Sequence, residues 1–302
     1  MKESLAGKIL SRIPYVRYAY FYRKYCNHRP GHFYSPVVNL DDLEQRKEKI
    51  WKPNRKLNGI NLNEAGQQLF VHSLEEAATL IPFAENPGQP GFRYYFDNKT
   101  YAHADGLVLF ATLLAYKPKR VIEVGSGFSS ALMLDTNDKF LNNSIRFTFI
   151  EPNPDMALNR LLRKEDYANT DVKESLVQDV DPEIFKTLRE NDILLIDNSH
   201  VSKTGSDVNY LMTEILPVLN KGVIIHIHDI FFPFEYPREW LLDLRLNWNE
   251  IYTVHSFLLF NNNFEIIFFS DQMQQTLKED YKSTLPLFFK DRPGSLWLRK
   301  IV

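Results

Sequence analysis

Hydrophobic and polar positions along this chain fall into two regimes. From Ala104 onward, short continuous apolar runs alternate with stretches of helical spacing. The runs at Val121–Val124, Arg146–Ile150, Asp192–Ile196, Gly222–Ile227, Phe264–Phe269 and Ser295–Ile301 predict strands, and a short one is expected near Ser175–Val177. Between them, Leu107–Tyr116, Ser129–Asp135, Pro154–Arg163, Pro182–Glu190, Asp207–Leu219 and Trp248–Phe260 predict helices. Strands alternating with helices predict a doubly wound, mainly parallel α/β sheet. The two late strands, with no strong helical pattern between them, suggest an antiparallel finish.

Upstream the pattern is different. Leu40–Trp51 and Leu62–Ile81 carry scattered apolar residues at helical spacing and are closed by Pro53 and Pro82. Glu85–Gly91 holds Pro87, Gly88, Pro90 and Gly91 and resembles a linker. The expected organisation is a mostly helical accessory region over residues 1–91 and an α/β domain over 92–302. Within residues 1–30, Lys2, Lys8, Arg12, Arg17, Arg23, Lys24 and Arg29 face a single acid, Glu3, and aromatics lie among them. Ile9, Ile13, Val16 and Tyr20 recur at helical spacing. Two readings stay open: a helix docked on its own domain with cations reaching outward, or a peripheral contact with a membrane or protein.

Composition narrows the class. The 302 residues have a formal net charge of -2, which gives no electrostatic commitment to nucleic acid. One cysteine, Cys26, excludes an internal disulfide and fits a reducing compartment. No stretch approaches the ~20 apolar residues of a bilayer span, and no secretory leader is visible, so a cytoplasmic location is expected. Self-association stays open.

The chemistry centres on Val121–Ser130, where an apolar strand with one acid runs into Gly125-Ser126-Gly127 and then a helix. Two glycines permit a sharp turn and close approach of a ligand, and the helix start favours a nucleotide-like one. No Gly-Lys-Ser/Thr follows, which excludes a P-loop. Ser130 stands where a dinucleotide fingerprint has Gly or Ala, a mild objection. Glu151, ending the second strand, suits the ribose of either a dinucleotide or S-adenosylmethionine. Glu123 can meet a cationic amino-acid moiety and would repel a pyrophosphate. Asp179 suits an adenine amino group.

With these residues in view, the chain resembles the class I S-adenosylmethionine-dependent methyltransferases. The resemblance rests on Glu123-Val-Gly-Ser-Gly127, Phe149-Ile-Glu151, Gln178-Asp179 and the closing strand pair, over roughly Ala104–Val302. It implies a Rossmann-like fold with a seven-stranded sheet and an antiparallel last strand. It also implies that S-adenosyl-L-methionine is the cofactor, held by Glu123, Gly125, Ser126, Gly127, Ser129, Glu151 and Asp179.

Asp197-Asn-Ser-His200 follows the fourth strand, and His226-Ile-His-Asp229 ends the fifth. Both lie at the carboxyl edge, where carboxylates and imidazoles from adjacent strands can share a divalent metal. His226 sits deeper than His228. The arrangement looks like the metal-dependent O-methyltransferases, in particular the macrocin and mycinamicin branch. By that resemblance Asp197 is a metal ligand and His200 the general base, with His228 and Asp229 completing the ligand set. His228 departs from the branch, which has an acid there, and moves the metal choice from magnesium toward manganese, iron or zinc.

The aromatic-rich loop Phe231–Trp240, with Tyr236 and Arg238, is expected to close over a small polar or sugar-like acceptor; the alternative is that Phe231, Phe232 and Phe234 pack inward or make a dimer contact. Gly31–Pro36 and Arg93–Asn98 match motifs of uncharacterised bacterial methyltransferases, and Phe33, Tyr34, Tyr95 and Tyr101 are candidates to cap the pocket. Two rival readings are an NAD(P)-dependent oxidoreductase with His200 in the acid–base role, and a non-catalytic scaffold that keeps the fold.

Overall fold

The computed structural model describes residues 13–52 and 56–302; Lys2, Lys8, Ile9 and Arg12 of the basic N-terminal pattern lie outside them. The chain divides into two compact units, one of residues 1–54 with Pro237–Asn247 and one of residues 55–236 with Trp248–Val302. In the first unit, Asn39 caps the helix Leu40–Ile50 by accepting from the Asp41 and Asp42 N–H groups, and Val38 N–H donates to Asn247 Oδ1. Tyr25, Phe33 and Tyr34 of this unit are exposed. Among the described residues no helix is long and apolar enough to cross a membrane.

The second unit is built on a seven-stranded sheet: β1 Arg120–Val124, β2 Arg146–Ile150, β3 Thr170–Lys173, β4 Ile193–Ile196, β5 Ile224–Ile227, β6 Phe264–Phe269 and β7 Leu296–Lys300. The order is β3-β2-β1-β4-β5-β7-β6, with β7 antiparallel to both its neighbours. This is the Rossmann-like methyltransferase topology. β4 and β5 are buried at every residue, as strands covered on both faces must be. The helix His103–Tyr116, apolar on all sides, is buried from His103 through Leu113.

The helix Glu64–Ala78 also belongs to this core. Phe70, Val71 and Leu74 pack with residues of the helix His103–Tyr116 and with Phe268 of β6. Phe70, Val71, Leu74, Ala77 and Phe83 therefore share the apolar interior of the sheet unit, and the division between compact units falls upstream of the linker-like stretch at 85–91. Arg93, just after that stretch, is clamped by Asp135 at 2.6 Å and Asp166 at 2.6 Å. Asp135 also accepts the N–H groups of Arg93 and Tyr94, and its side chain is fully buried.

Three local expectations are corrected. The third strand is Thr170–Lys173, not Ser175–Val177, because Thr170 and Val172 suit an edge strand and pair with Phe147 and Phe149 of β2. Val177–Asp179 forms a 3-10 turn. The helix expected over Asp207–Leu219 is α-helical only to Tyr210, then widens into a π turn over Leu211–Ile215 ahead of Pro217, which cannot donate within a regular helix. Pro154–Arg163 breaks into a 3-10 turn and the short helix Leu158–Leu161.

Candidate active site

The carboxyl ends of β1, β2 and β4 open onto a cleft of about 460 Å³. Gly125 and Glu151 form one part of its wall, Leu176 to Gln178 another, and Asp197 to Ser199 a third. Gly125 has φ +80°, in the left-handed region, and a Cβ there would stand 1.7 Å from the Asp197 carbonyl oxygen. Only glycine fits. Gly125 N–H donates to the Ile150 carbonyl, so the turn is tied to β2 as well.

Glu151 holds the turn from the side. Its carboxylate accepts from Ser126 N–H at 3.3 Å and from Asn153 N–H at 2.8 Å, and it still lines the cleft. Glu123 behaves differently from the expectation that it faces the ligand. It is fully buried, does not line the cleft, and accepts hydroxyl hydrogen bonds from Ser129 at 2.5 Å and from Ser130. Ser130 in turn accepts from Gly127 N–H at 3.1 Å. Burial, only partly offset by the two serines, pushes the Glu123 carboxyl up to about 8. The structure thus places Glu123, Ser129 and Ser130 beneath the turn as its brace. Asp179 is exposed, and its neighbour Gln178 lines the cleft instead, bonded to the Gly205 carbonyl at 2.8 Å.

At the far end of the cleft Asp197 enters a second cluster. Ligand-capable atoms of Asp197, His200 and Asp229 all lie within 4.8 Å of one another. His200 Nε2 is 3.3 Å from Asp197 Oδ1 and 3.4 Å from Asp229 Oδ2. On its other side His200 Nδ1 meets Glu250 Oε2 at 2.9 Å, and Trp248 covers the ring with centroids 4.5 Å apart. His200 and Asp229 both hold left-handed backbones, φ +57° and +58°, a conformation that costs non-glycine residues roughly 1–3 kcal/mol each. Two strained residues side by side at strand ends mark a site whose surroundings over-determine it.

The electrostatics follow from the contacts. Burial opposes the His200 imidazolium, but Asp197, Glu250 and Asp229 outweigh it and hold the ring well above the ordinary imidazole range. Desolvation opposes the Asp197 carboxylate, and His228 and His200 override it, lowering Asp197 to about 2. Burial raises Asp229. His226 is buried in β5, kept neutral by burial and by His228, and packs on Trp297.

His228, expected as a ligand, lies outside the trio. Its Nε2 is 3.7 Å from Asp229 Oδ1 and its ring stacks on buried Tyr101, centroids 5.0 Å apart. Tyr236 is buried, its hydroxyl accepting from Ile251 N–H at 3.3 Å. Arg238 belongs to the first unit and pairs there with Glu44 at 3.1 Å. Tyr95 packs edge-on against Phe128. Phe231 and Phe234 are buried, which answers for those two the question left open in the sequence.

Glu250 was not read from the sequence, and Asp207 only as the end of the loop Ser202–Asp207, expected to close over the acceptor. Asp207 lines the cleft and fixes Ser199 through both its N–H and its hydroxyl. Glu250 lies 50 positions beyond His200. The available signal was a solitary acid opening a helix after Asn249 whose Ile251, Val254 and Leu258 are apolar.

A sequence family described as a methyltransferase domain matches residues 122–230. An uncharacterized protein of Archaeoglobus fulgidus is 37% identical over 166 residues, covering 54% of this chain and 74% of that protein. Among solved structures, the Podospora anserina methyltransferase PaMTH1 bound to S-adenosylhomocysteine is 18% identical, with a TM-score of 0.44 over 88% of this chain and 97% of that one. The O-methyltransferase TomG of Streptomyces achromogenes, in complex with S-adenosylmethionine, is 12% identical, with a TM-score of 0.42 over 82% of this chain and 100% of its own.

Proposed function

The chain belongs to the class I S-adenosylmethionine-dependent methyltransferases, and on that premise we propose that it methylates a hydroxyl of a small polar or sugar-like acceptor at the cluster of Asp197, His200 and Asp229. One observation carries the reading: Asp197 both lines the cleft under the glycine turn and belongs to the acid–histidine trio. Cofactor and proton acceptor would therefore be neighbours by construction.

In this reading Gly125 and Gly127 pass under the methionine part of the cofactor, Glu151 takes the ribose hydroxyls, and the Gln178–Asp179 turn lies by the adenine. Glu123 acts through Ser129 and Ser130 on the shape of the turn. In its neutral form His200 takes the acceptor hydroxyl's proton at Nε2, and methyl transfer is an in-line displacement at the sulfonium, favoured by positioning.

The two carboxylates also fit a divalent cation, since ligand-capable oxygens of Asp197 and Asp229 lie within 4.8 Å of each other. Asp197 and Asp229 would hold it. Bound there, such an ion would polarise an acceptor hydroxyl and lower the proton affinity of the nearby imidazole. His228 supports Asp229 from behind.

The test is transfer of a labelled methyl group from S-adenosylmethionine into an extract of polar small molecules, with His200→Ala as the comparison. The reading expects label in a hydroxyl ether in the native protein, and intact cofactor binding without transfer in the variant. Full transfer by His200→Ala would overturn the base assignment, and label on nitrogen or carbon would overturn O-methylation.

A further inference from the structure

We infer that Glu250 is the positioning residue that fixes the orientation and tautomer of His200, so that Nε2 faces the gap between Asp197 and Asp229. The inference rests on the proposed role of His200 as proton acceptor.

Besides the two acids at Nε2, five contacts converge on His200, and three of them come from Asn249 and Glu250 at the start of the helix Glu250–Leu258. Glu250 Oε2 meets Nδ1 at 2.9 Å. The His200 carbonyl accepts from Asn249 N–H at 3.0 Å and from Glu250 N–H at 3.1 Å, so backbone and side chain lock the same pair together. Asn198 Oδ1 accepts from His200 N–H at 3.0 Å, which holds the left-handed turn. Trp248 closes the ring face. Glu250 itself is fully buried. A buried carboxylate is costly unless it is paired, and His200 is the titratable partner it faces.

The chemical consequence concerns which nitrogen carries the proton. A carboxylate accepts only, so Glu250 requires N–H on Nδ1 and leaves Nε2 as the nitrogen with the free lone pair in the neutral ring. Nε2 is the atom that points at Asp197 and Asp229, 3.3 and 3.4 Å away. The same division of labour, a buried acid behind and a reactive nitrogen in front, orients histidines in acyl-transfer triads and in metal sites. Asn249 completes the arrangement: its Oδ1 accepts from Ser202 N–H at 2.6 Å, tying the helix start to the segment after His200.

The experiment compares native protein, Glu250→Gln, Glu250→Ala and His200→Ala by cofactor affinity, thermal midpoint, labelled methyl transfer into the polar extract, and nitrogen NMR of histidine-labelled protein. Glu250→Gln is nearly isosteric, but its amide can turn to donate to Nδ1 and invert the tautomer. The expected result is cofactor Kd within about twofold of native, kcat lowered by 10- to 1,000-fold with little change in KM, a shifted pH profile, and loss of the Nδ1–H signal of His200. If Glu250→Ala fails to fold, Glu250→Gln and the NMR spectrum of the native protein decide. Native Nε2–H with bare Nδ1 in the neutral ring, or an unchanged kcat and pH profile in Glu250→Gln while His200→Ala is inactive, would overturn the role of Glu250 alone. Full turnover by His200→Ala would overturn the base assignment, and Glu250 with it.

Discussion

A Cβ at Gly125 would stand 1.7 Å from the carbonyl oxygen of Asp197. The turn that approaches the cofactor and the strand end that carries the chemistry are thus in van der Waals contact through backbone alone. Neither can move without the other. This contact explains why a glycine is required there on two independent grounds, space and a φ of +80°.

Replacing Gly125 by alanine is therefore expected to lower stability by roughly 2–4 kcal/mol and to weaken cofactor binding and transfer together, since Asp197 must shift. Gly127→Ala is the comparison, because a Cβ there meets nothing within 4 Å. Calorimetric titration with S-adenosylhomocysteine and thermal unfolding of the two variants check this. Equal stability of both variants would contradict it.

How much of this was legible in the sequence follows from which interactions are local. The strand–turn–helix at Val121–Ser130 announced itself because its glycines and apolar run are contiguous. Asp197, His200 and Asp229 could be placed at strand ends from hydrophobic runs alone. Tertiary pairings were not legible: Glu250 reaches His200, and Arg93 reaches Asp135 and Asp166, across tens of residues with no periodicity to signal them. β3 was misplaced because a four-residue edge strand with Asp171 and Lys173 in it carries almost no apolar run. His228 was expected among the ligands because strand alternation fixes a face, not a rotamer. In the structure its ring stacks on Tyr101.

Glu123 makes stability depend on pH. Its carboxyl, pushed up to about 8 by burial, keeps its proton in the fold at pH values where the unfolded chain, with an ordinary value of 4.5, has lost it. The native state binds more protons in that window, so this contribution is full below about pH 4.5, declines as pH rises, and is gone above about pH 8. The loss is about 5 kcal/mol at most. Denaturant titrations from pH 5 to 9 should show the decline in native protein and a flatter profile in Glu123→Gln. A flat native profile would count against a protonated Glu123.

The Arg93–Asp135–Asp166 clamp predicts a structural cost without a chemical one. Asp135→Ala leaves a buried guanidinium and two backbone N–H groups short of acceptors, and should cost about 3–5 kcal/mol. Cofactor affinity at low temperature should stay within a few-fold of native. A drop in affinity with no drop in thermal midpoint is the contrary outcome.

Metal removal gives a prediction for the strand-end acids. Exhaustive chelation should abolish methyl transfer, manganese or magnesium should restore it, and Asp197→Asn or Asp229→Asn should weaken manganese binding by roughly a hundredfold or more. Transfer that persists unchanged in chelated protein would reject the ion.

The central claim is that Asp197 joins the cofactor cleft to the site of chemistry. It is tested most directly by anomalous diffraction from a crystal holding S-adenosylhomocysteine and manganese. The account predicts an anomalous peak between the carboxylates of Asp197 and Asp229, with the cofactor's ribose against Glu151. Cofactor bound in the cleft beside Gly125, with no manganese at Asp197 and Asp229, would contradict it.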